Sequence, residues 1–276
     1  MSASDSSSPS NATLVPAPFI VLFQGRSGST HLVSLLSSHP GVFCRNEILT
    51  FDWQGTFASP ALDGASDKKQ TPRVLHIGGR RYKANPDKHD IVEALDRIYR
   101  KPSIQAAGFK LKFPRQVKEF PEAQDYLLDL GDRLRIILLD RENVLKRAIS
   151  KQVLVNLRNR DVSLHRQNLK NEVLFEPVTI DVEDVIHLAT VTANGRAALF
   201  EFARQFENSL TIEYEQLRHA EAETMGKVLE FLDLPTTETL ASEYVKVTPD
   251  RISLAVKNYD ELCRAVSGSP LEAFLD

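Results

Sequence analysis

The sequence predicts an α/β protein of three layers, a central, mostly parallel sheet flanked by helices. Three observations carry that expectation. Short apolar runs such as Phe19–Phe23 and Leu134–Leu139 have the length and bulk of buried strands, and longer segments of helical spacing alternate with them. The first strand passes through a glycine-rich turn directly into a helix. No internal repeat points to a solenoid instead. Alternation of this kind favours parallel strands with helices on both faces, and ligands then sit at the carboxyl ends of the strands.

Taken in order, residues 1–17 are rich in Ser, Ala and Pro and read as a disordered tail, with residues 18–276 forming one domain. Phe19–Phe23 is the first strand, and Leu32, Leu35 and Leu36 mark the helix after the turn. Pro40 and Gly41 stop that helix, and Val42–Cys44 is a second short strand running towards Glu47. Residues 51–87 show weak periodicity and many turn residues, so they read as a loop-rich insertion, a lid or substrate wall. Arg73, His76, Arg80, Arg81 and Lys83 lie in it, either as ordinary solvated charges or as a wall for an anionic acceptor. A helix over Asp87–Arg100 buries Ile91, Leu95 and Ile98. A strand over Ala106–Phe113, a helix over Glu122–Leu130 and the strand Leu134–Leu139 follow. Helices are then expected over Asn143–Leu157, over Val182–Phe206 with Asp181 as N-cap, over Glu221–Leu232 and over Ile252–Val266, with a strand over Ser209–Tyr214.

Composition narrows the partners. The 276 residues carry a formal charge of −3, with 42% hydrophobic and 26% charged residues, which is ordinary for a globular chain. Such a balance argues against nucleic acid or an anionic membrane as the main partner. No apolar run is long enough for a transmembrane helix, and the N-terminal stretch has no signal-peptide pattern. The two cysteines, Cys44 and Cys263, form no disulfide framework or zinc motif and read as small buried residues. A cytoplasmic location is expected.

The turn Gly25-Arg26-Ser27-Gly28-Ser29-Thr30 has the makings of an anion cradle. A strand running through such a turn into a helix presents unpaired N–H groups and the positive end of the helix dipole to one point. Arg26 adds charge, and Ser27, Ser29 and Thr30 add donors. The nucleoside-triphosphatase pattern GxxxxGK[ST] is not met, because Phe23 and Ser29 stand where it needs glycine and lysine. The cradle is therefore P-loop-like rather than a P-loop. A second constellation follows the best strand. Arg141 stands at its mouth and Ser150 about two turns into the next helix, a pairing suited to a phosphate. A cation at a helix N-terminus opposes the dipole, so Arg141 needs a reason beyond surface charge.

These motifs, with the later IEYEQL, VLEFLDLP and VKNYDEL segments, resemble the PAPS-dependent sulfotransferases (PAPS is 3′-phosphoadenosine 5′-phosphosulfate). The resemblance spans about Pro18 to Val266 and is strongest to the bacterial carbohydrate or lipid type, of the trehalose- and nodulation-factor-sulfotransferase kind. It implies that Gly25 to Thr30 bind the 5′-phosphosulfate, with Arg26 where many members have lysine. It also implies that Arg141 and Ser150 bind the 3′-phosphate, and that Tyr214 contacts the adenine or is simply a strand aromatic. Cytosolic members carry a histidine base where this chain has Lys112, and the trehalose type uses a glutamate that Glu47 matches. The Arg141-to-Ser150 spacing is one residue longer than in the cytosolic group.

The expected reaction is in-line transfer of a sulfuryl group to a hydroxyl on a sugar, lipid or small metabolite. Glu47 is the candidate base and Arg26 takes leaving-group charge, with no metal required. Lys110 is a second candidate for charge stabilisation, or an exposed strand charge. His76 is the reserve base, and His39 reads as a turn residue. Two other classes share the cradle: a P-loop kinase-like enzyme using ATP and magnesium, and a non-catalytic nucleotide-binding protein.

Overall fold

The computed structural model describes residues 15–51, 72–78, 80–158, 175–244 and 248–276. Five parallel strands make the central sheet, in the order β2 (Val42–Arg45), β6 (Ala106–Lys112), β1 (Ala17–Phe23), β7 (Arg135–Asp140), β8 (Asn208–Glu213). β1 is central and apolar along its length: Phe19, Ile20, Val21 and Leu22 are wholly buried because both faces are covered. On one side Phe19, Val21 and Phe23 pack against α1 (Ser29–Ser38) and α8 (Glu221–Phe231). On the other, Ile20 and Leu22 meet α2 (Lys88–Tyr99), α4 (Pro121–Asp129) and the end of α6 (Val182–Ala203). The three wholly buried leucines of α1, Leu32, Leu35 and Leu36, each contribute about 1.5–3 kcal/mol of burial.

A third cluster joins α5 (Val144–Arg158) and α6 to α9 (Ile252–Ala255) and α10 (Tyr259–Val266). Asp181 caps α6 by accepting the Asp184 N–H at 3.0 Å. Asp87 and Asp90 form a reciprocal capping box that starts α2, each bond 2.9 Å.

The chain leaves β1 through α1 towards β2 at one edge, and leaves β7 through α5 and α6 towards β8 at the other. Departure in opposite directions opens a crevice at the carboxyl ends of β1 and β7. Register makes those ends level, since Phe23 sits opposite Lys112 on β6 and Leu139 on β7.

Several boundaries differ from the sequence reading. The first strand begins at Ala17, inside the stretch expected to be tail, and residues 1–14 lie outside the described residues. The supposed loop over 51–87 is not structureless where it is described: β4 (Arg73–Ile77) and β5 (Arg80–Ala84) form an antiparallel sheet with β3 (Leu49–Phe51). Residues 52–71 of that stretch lie outside the described residues. A short helix, α3 (Arg115–Glu119), precedes α4. Tyr214 is not on a strand but is the first residue of α7 (Tyr214–His219). The expected final helix is divided into α9 and α10, because Val256 bridges Val178 and the Asn258 side chain exchanges two 3.0 Å bonds with the backbone of Ile180.

Candidate active site

The turn after β1 is built as the sequence suggested. Arg26 and Gly28 have left-handed backbones, φ 67° and 85°. The first helical bonds of α1 run from the His31 and Leu32 N–H groups to Gly28 O, at 3.0 and 3.2 Å. The N–H groups of Ser29 and Thr30 therefore precede the helical ladder and face the crevice with the dipole behind them. Gly28 is required twice, since a Cβ there would lie 2.6 Å from the Tyr214 ring. The Ser27 hydroxyl is buried and has no hydrogen-bond partner among the described residues.

The second constellation meets the first. Arg26 donates from Nε (3.1 Å) and Nη2 (3.0 Å) to the Ser150 hydroxyl on α5. Arg141 donates from Nη1 to Arg26 O at 3.0 Å, and its guanidinium lies 4.2 Å from the centre of the Tyr214 ring. Its Nε is buried with no hydrogen bond, and the Glu215 carboxylate stands 3.9 Å away. Burial pulls the Arg141 pKa below the usual arginine value, against the pull of Tyr214, Glu215 and Asp250. Gly25 to Thr30, Arg141, Ser150 and Tyr214 thus share one crevice.

Glu47 approaches from the side of β6. The Lys110 ammonium, almost wholly buried, donates to Thr30 Oγ1 at 3.1 Å and stands 3.5 Å from Glu47 Oε1. One lysine thereby ties the carboxylate to the turn, so Lys110 is not an exposed strand charge. Burial lowers its pKa, with Glu47 opposing. Lys112, two residues on and on the same face of β6, lies against the turn: its Nζ is 3.5 Å from where a Cβ on Gly25 would be. Burial lowers its pKa too; Glu47 opposes, while Arg115, Lys151 and Arg26 add to the fall. His76 is on β4, and its backbone N–H donates to Ile48 O at 2.8 Å, beside the connection from β2 to β3 that carries Glu47. The other basic residues of that hairpin divide: Arg73 forms a two-pronged pair with Glu122 (3.2 and 3.0 Å) and Lys83 pairs with Asp90 at 2.5 Å.

Sequence reasoning missed the supports. Arg147, buried on α5, donates Nη1 to Gln24 Oε1 (2.7 Å) and both Nε (3.3 Å) and Nη2 (3.1 Å) to Gly25 O. Burial pushes its pKa down to about 10. Asp140, at the end of β7, is gripped by Arg196 of α6 through bonds of 2.6–3.0 Å. On the same helix Gly195 passes so close that a Cβ would lie 2.7 Å from Gln24 Nε2. The signal for Arg147 was present, a cation six residues beyond Arg141 and set among Leu145, Ala148 and Ile149 of the expected helix.

The sequence model of the sulfotransferase family matches residues 18–238. Nodulation protein H from Rhizobium meliloti, represented by strain 1021 and by a second sequence, is 25% identical over 275 residues, covering 96% of this chain and 98% of its own. A sulfotransferase structure from Alicyclobacillus acidocaldarius aligns with TM-score 0.49 and 17% identity, covering 85% of this chain and 87% of that one. Mouse sulfotransferase SULT7A1 complexed with PAP aligns with TM-score 0.39 and 14% identity, over 96% and 93% of the two chains. With four-fifths of its length matched by the family model, this chain belongs to the sulfotransferase family.

Proposed function

We propose that this sulfotransferase takes its sulfuryl group from PAPS, and that the crevice between β1 and β7 binds the donor. The observation that carries this reading is the direct contact of Arg26 with Ser150, with Arg141 bonded to the same turn. Two anion-binding constellations that adjoin in this way suit one nucleotide with phosphate at both its 5′ and 3′ positions. The chain's own groups fit such a ligand: the Ser27 hydroxyl and Arg141 Nε are buried donors without hydrogen-bond partners among the described residues. The Tyr214 ring offers a flat surface beside Arg141 for a base.

In the proposed step the acceptor hydroxyl oxygen attacks sulfur as the bond from sulfur to the bridging phosphate oxygen breaks. The bonding pair stays on that oxygen, and the acceptor proton passes to the Glu47 carboxylate. Arg26 and the N–H groups of the turn receive the charge that builds on the leaving phosphate. Lys110 fixes Glu47 against Thr30, so that base and cradle keep one spacing. Acceptor classes that suit the reading are a sugar, a lipid headgroup or a small hydroxylated metabolite. Free Cys44 and Cys263 suit a reducing compartment, which supports a cytoplasmic location.

Thermal unfolding with nucleotides tests the donor assignment. PAP, the desulfated product, is expected to raise the midpoint by several degrees at about a hundred times its dissociation constant, and ATP with magnesium to do little. Stabilisation by ATP and magnesium alone would favour the kinase-like alternative.

A further inference from the structure

The carboxyl end of β6 brings a second lysine to the crevice. Lys112 sits opposite Phe23, the last residue of β1, on the same face of the sheet as Lys110, whose ammonium reaches Thr30 on α1. Its backbone is pinned there: the Lys112 N–H donates to Gln116 Oε1 at 2.6 Å, and the Phe113 N–H donates to Phe23 O at 2.8 Å. The side chain then lies across Gly25, the first residue of the turn, with Cε 3.2 Å and Nζ 3.5 Å from where a Cβ would stand. Gly25 thus leaves the room that this lysine occupies.

The cations of the crevice differ in what they hold. Arg26 turns Nε and Nη2 to Ser150, Arg141 bonds Arg26 O, Arg147 bonds Gly25 O and Lys110 bonds Thr30. The half-buried Lys112 ammonium makes no hydrogen bond or ion pair among the described residues. Arg26, Lys110, Arg115 and Lys151 all repel it. The carboxylates that attract it are shared already, Glu47 with Lys110 at 3.5 Å and Glu119 with Arg115 at 2.9 Å. Three spare N–H donors held among cations, at the start of an anion cradle, call for an anion to balance them.

We infer that Lys112 is a catalytic residue of the donor site, its ammonium bound to the oxygen that bridges phosphorus and sulfur at the 5′ end of PAPS. When the bond from sulfur to that oxygen breaks, the bonding pair stays on the oxygen, and the ammonium keeps its proton and holds the charge that forms. Arg26, engaged with Ser150, faces the 3′ side of the nucleotide, and Lys112 completes the 5′ side. The inference rests on the proposed donor for the identity of the anion.

The experiment titrates PAPS, PAP and adenosine 3′-monophosphate by calorimetry into the full chain and into Lys112→Met and Lys112→Arg. In Lys112→Met the dissociation constants of PAPS and PAP are expected to rise at least about tenfold, as loss of a charge-assisted bond predicts. That of adenosine 3′-monophosphate, which has no 5′ anion, should stay within about twofold and shows that the variant is folded. Lys112→Arg should keep all three within about threefold of the unaltered chain. Equal weakening of the three ligands would overturn the inference, as would undiminished binding of PAPS and PAP by Lys112→Met, and both results would leave the donor assignment standing. An unaltered chain that bound neither PAPS nor PAP would instead strike the donor assignment, and the role of Lys112 with it.

Discussion

The Arg147 guanidinium holds the carbonyl of Gly25 with two donors, Nε at 3.3 Å and Nη2 at 3.1 Å, so a residue of α5 fixes the first peptide of the turn after β1. Arg147→Met would leave that carbonyl and Gln24 Oε1 buried without these donors, at about 1–3 kcal/mol each. Release of a charge that burial already disfavours offsets part of the loss. A net destabilisation of about 2 kcal/mol in urea unfolding is expected, with weaker PAP binding, and Arg147→Lys should recover some of both. A Met variant of unchanged stability would show that the turn holds its shape without this clamp.

Glu47→Gln keeps the shape of the side chain and removes its capacity to accept a proton. Turnover is expected to fall by about 10²–10⁴-fold, while the PAP dissociation constant stays within about twofold. Single-turnover rates beside PAP titrations separate the two quantities. Near-normal turnover would move the base elsewhere, with His76 the next group to replace.

The lysines of β6 give the enzyme a pH signature. Burial lowers the pKa of both Lys110 and Lys112, so between those folded values and the usual 10.5 the unfolded chain holds more protons. Stability contributed by these groups therefore rises with pH across that window. Activity is expected to move the other way, because deprotonation of Lys110 removes the ammonium beside Glu47. An alkaline fall in kcat is expected below the pH at which an ordinary lysine titrates, and Lys110→Arg should shift it upward. A profile flat to the ordinary lysine range would rule out a catalytic need for the Lys110 charge.

Gly28→Ala combines two penalties, a left-handed backbone at φ 85° and a Cβ 2.6 Å from the Tyr214 ring. The backbone part costs about 1–2 kcal/mol, and the clash adds to it. Pairing Gly28→Ala with Tyr214→Ala should remove the clash and leave the backbone part, so the double variant is expected to be more stable than additivity predicts. Additive losses would mean that the ring moves aside at no cost.

Much of this was legible in the chain. The strand at Phe19–Phe23 and the leucines of α1 announce a buried parallel strand and its covering helix, because burial on both faces demands uninterrupted apolar residues. The hairpin of β4 and β5 was not legible, because Arg80-Arg81-Tyr82-Lys83-Ala84 lies at a mostly exposed edge, where no alternation is required. Tyr214 looked like the end of the strand that carries Leu210 and Ile212, yet the chain turns into a helix there and its ring lies beside Arg141. The supports from α5 and α6 depend on which helices cross the turn, and that is a property of topology rather than of local spacing. Arg196 shows this best: nothing in its own helix hints at Asp140.

The narrow passage between α6 and Gln24 has a practical consequence for anyone altering this enzyme. Tolerance to change will not simply fade with distance from the reacting atoms. At Gly195 even a methyl group meets the amide of Gln24, which Arg147 also uses to hold the turn. A mutagenesis library that spares the crevice but randomises the surrounding helices should therefore still lose clones at this one site, through a shifted loop rather than a damaged reagent.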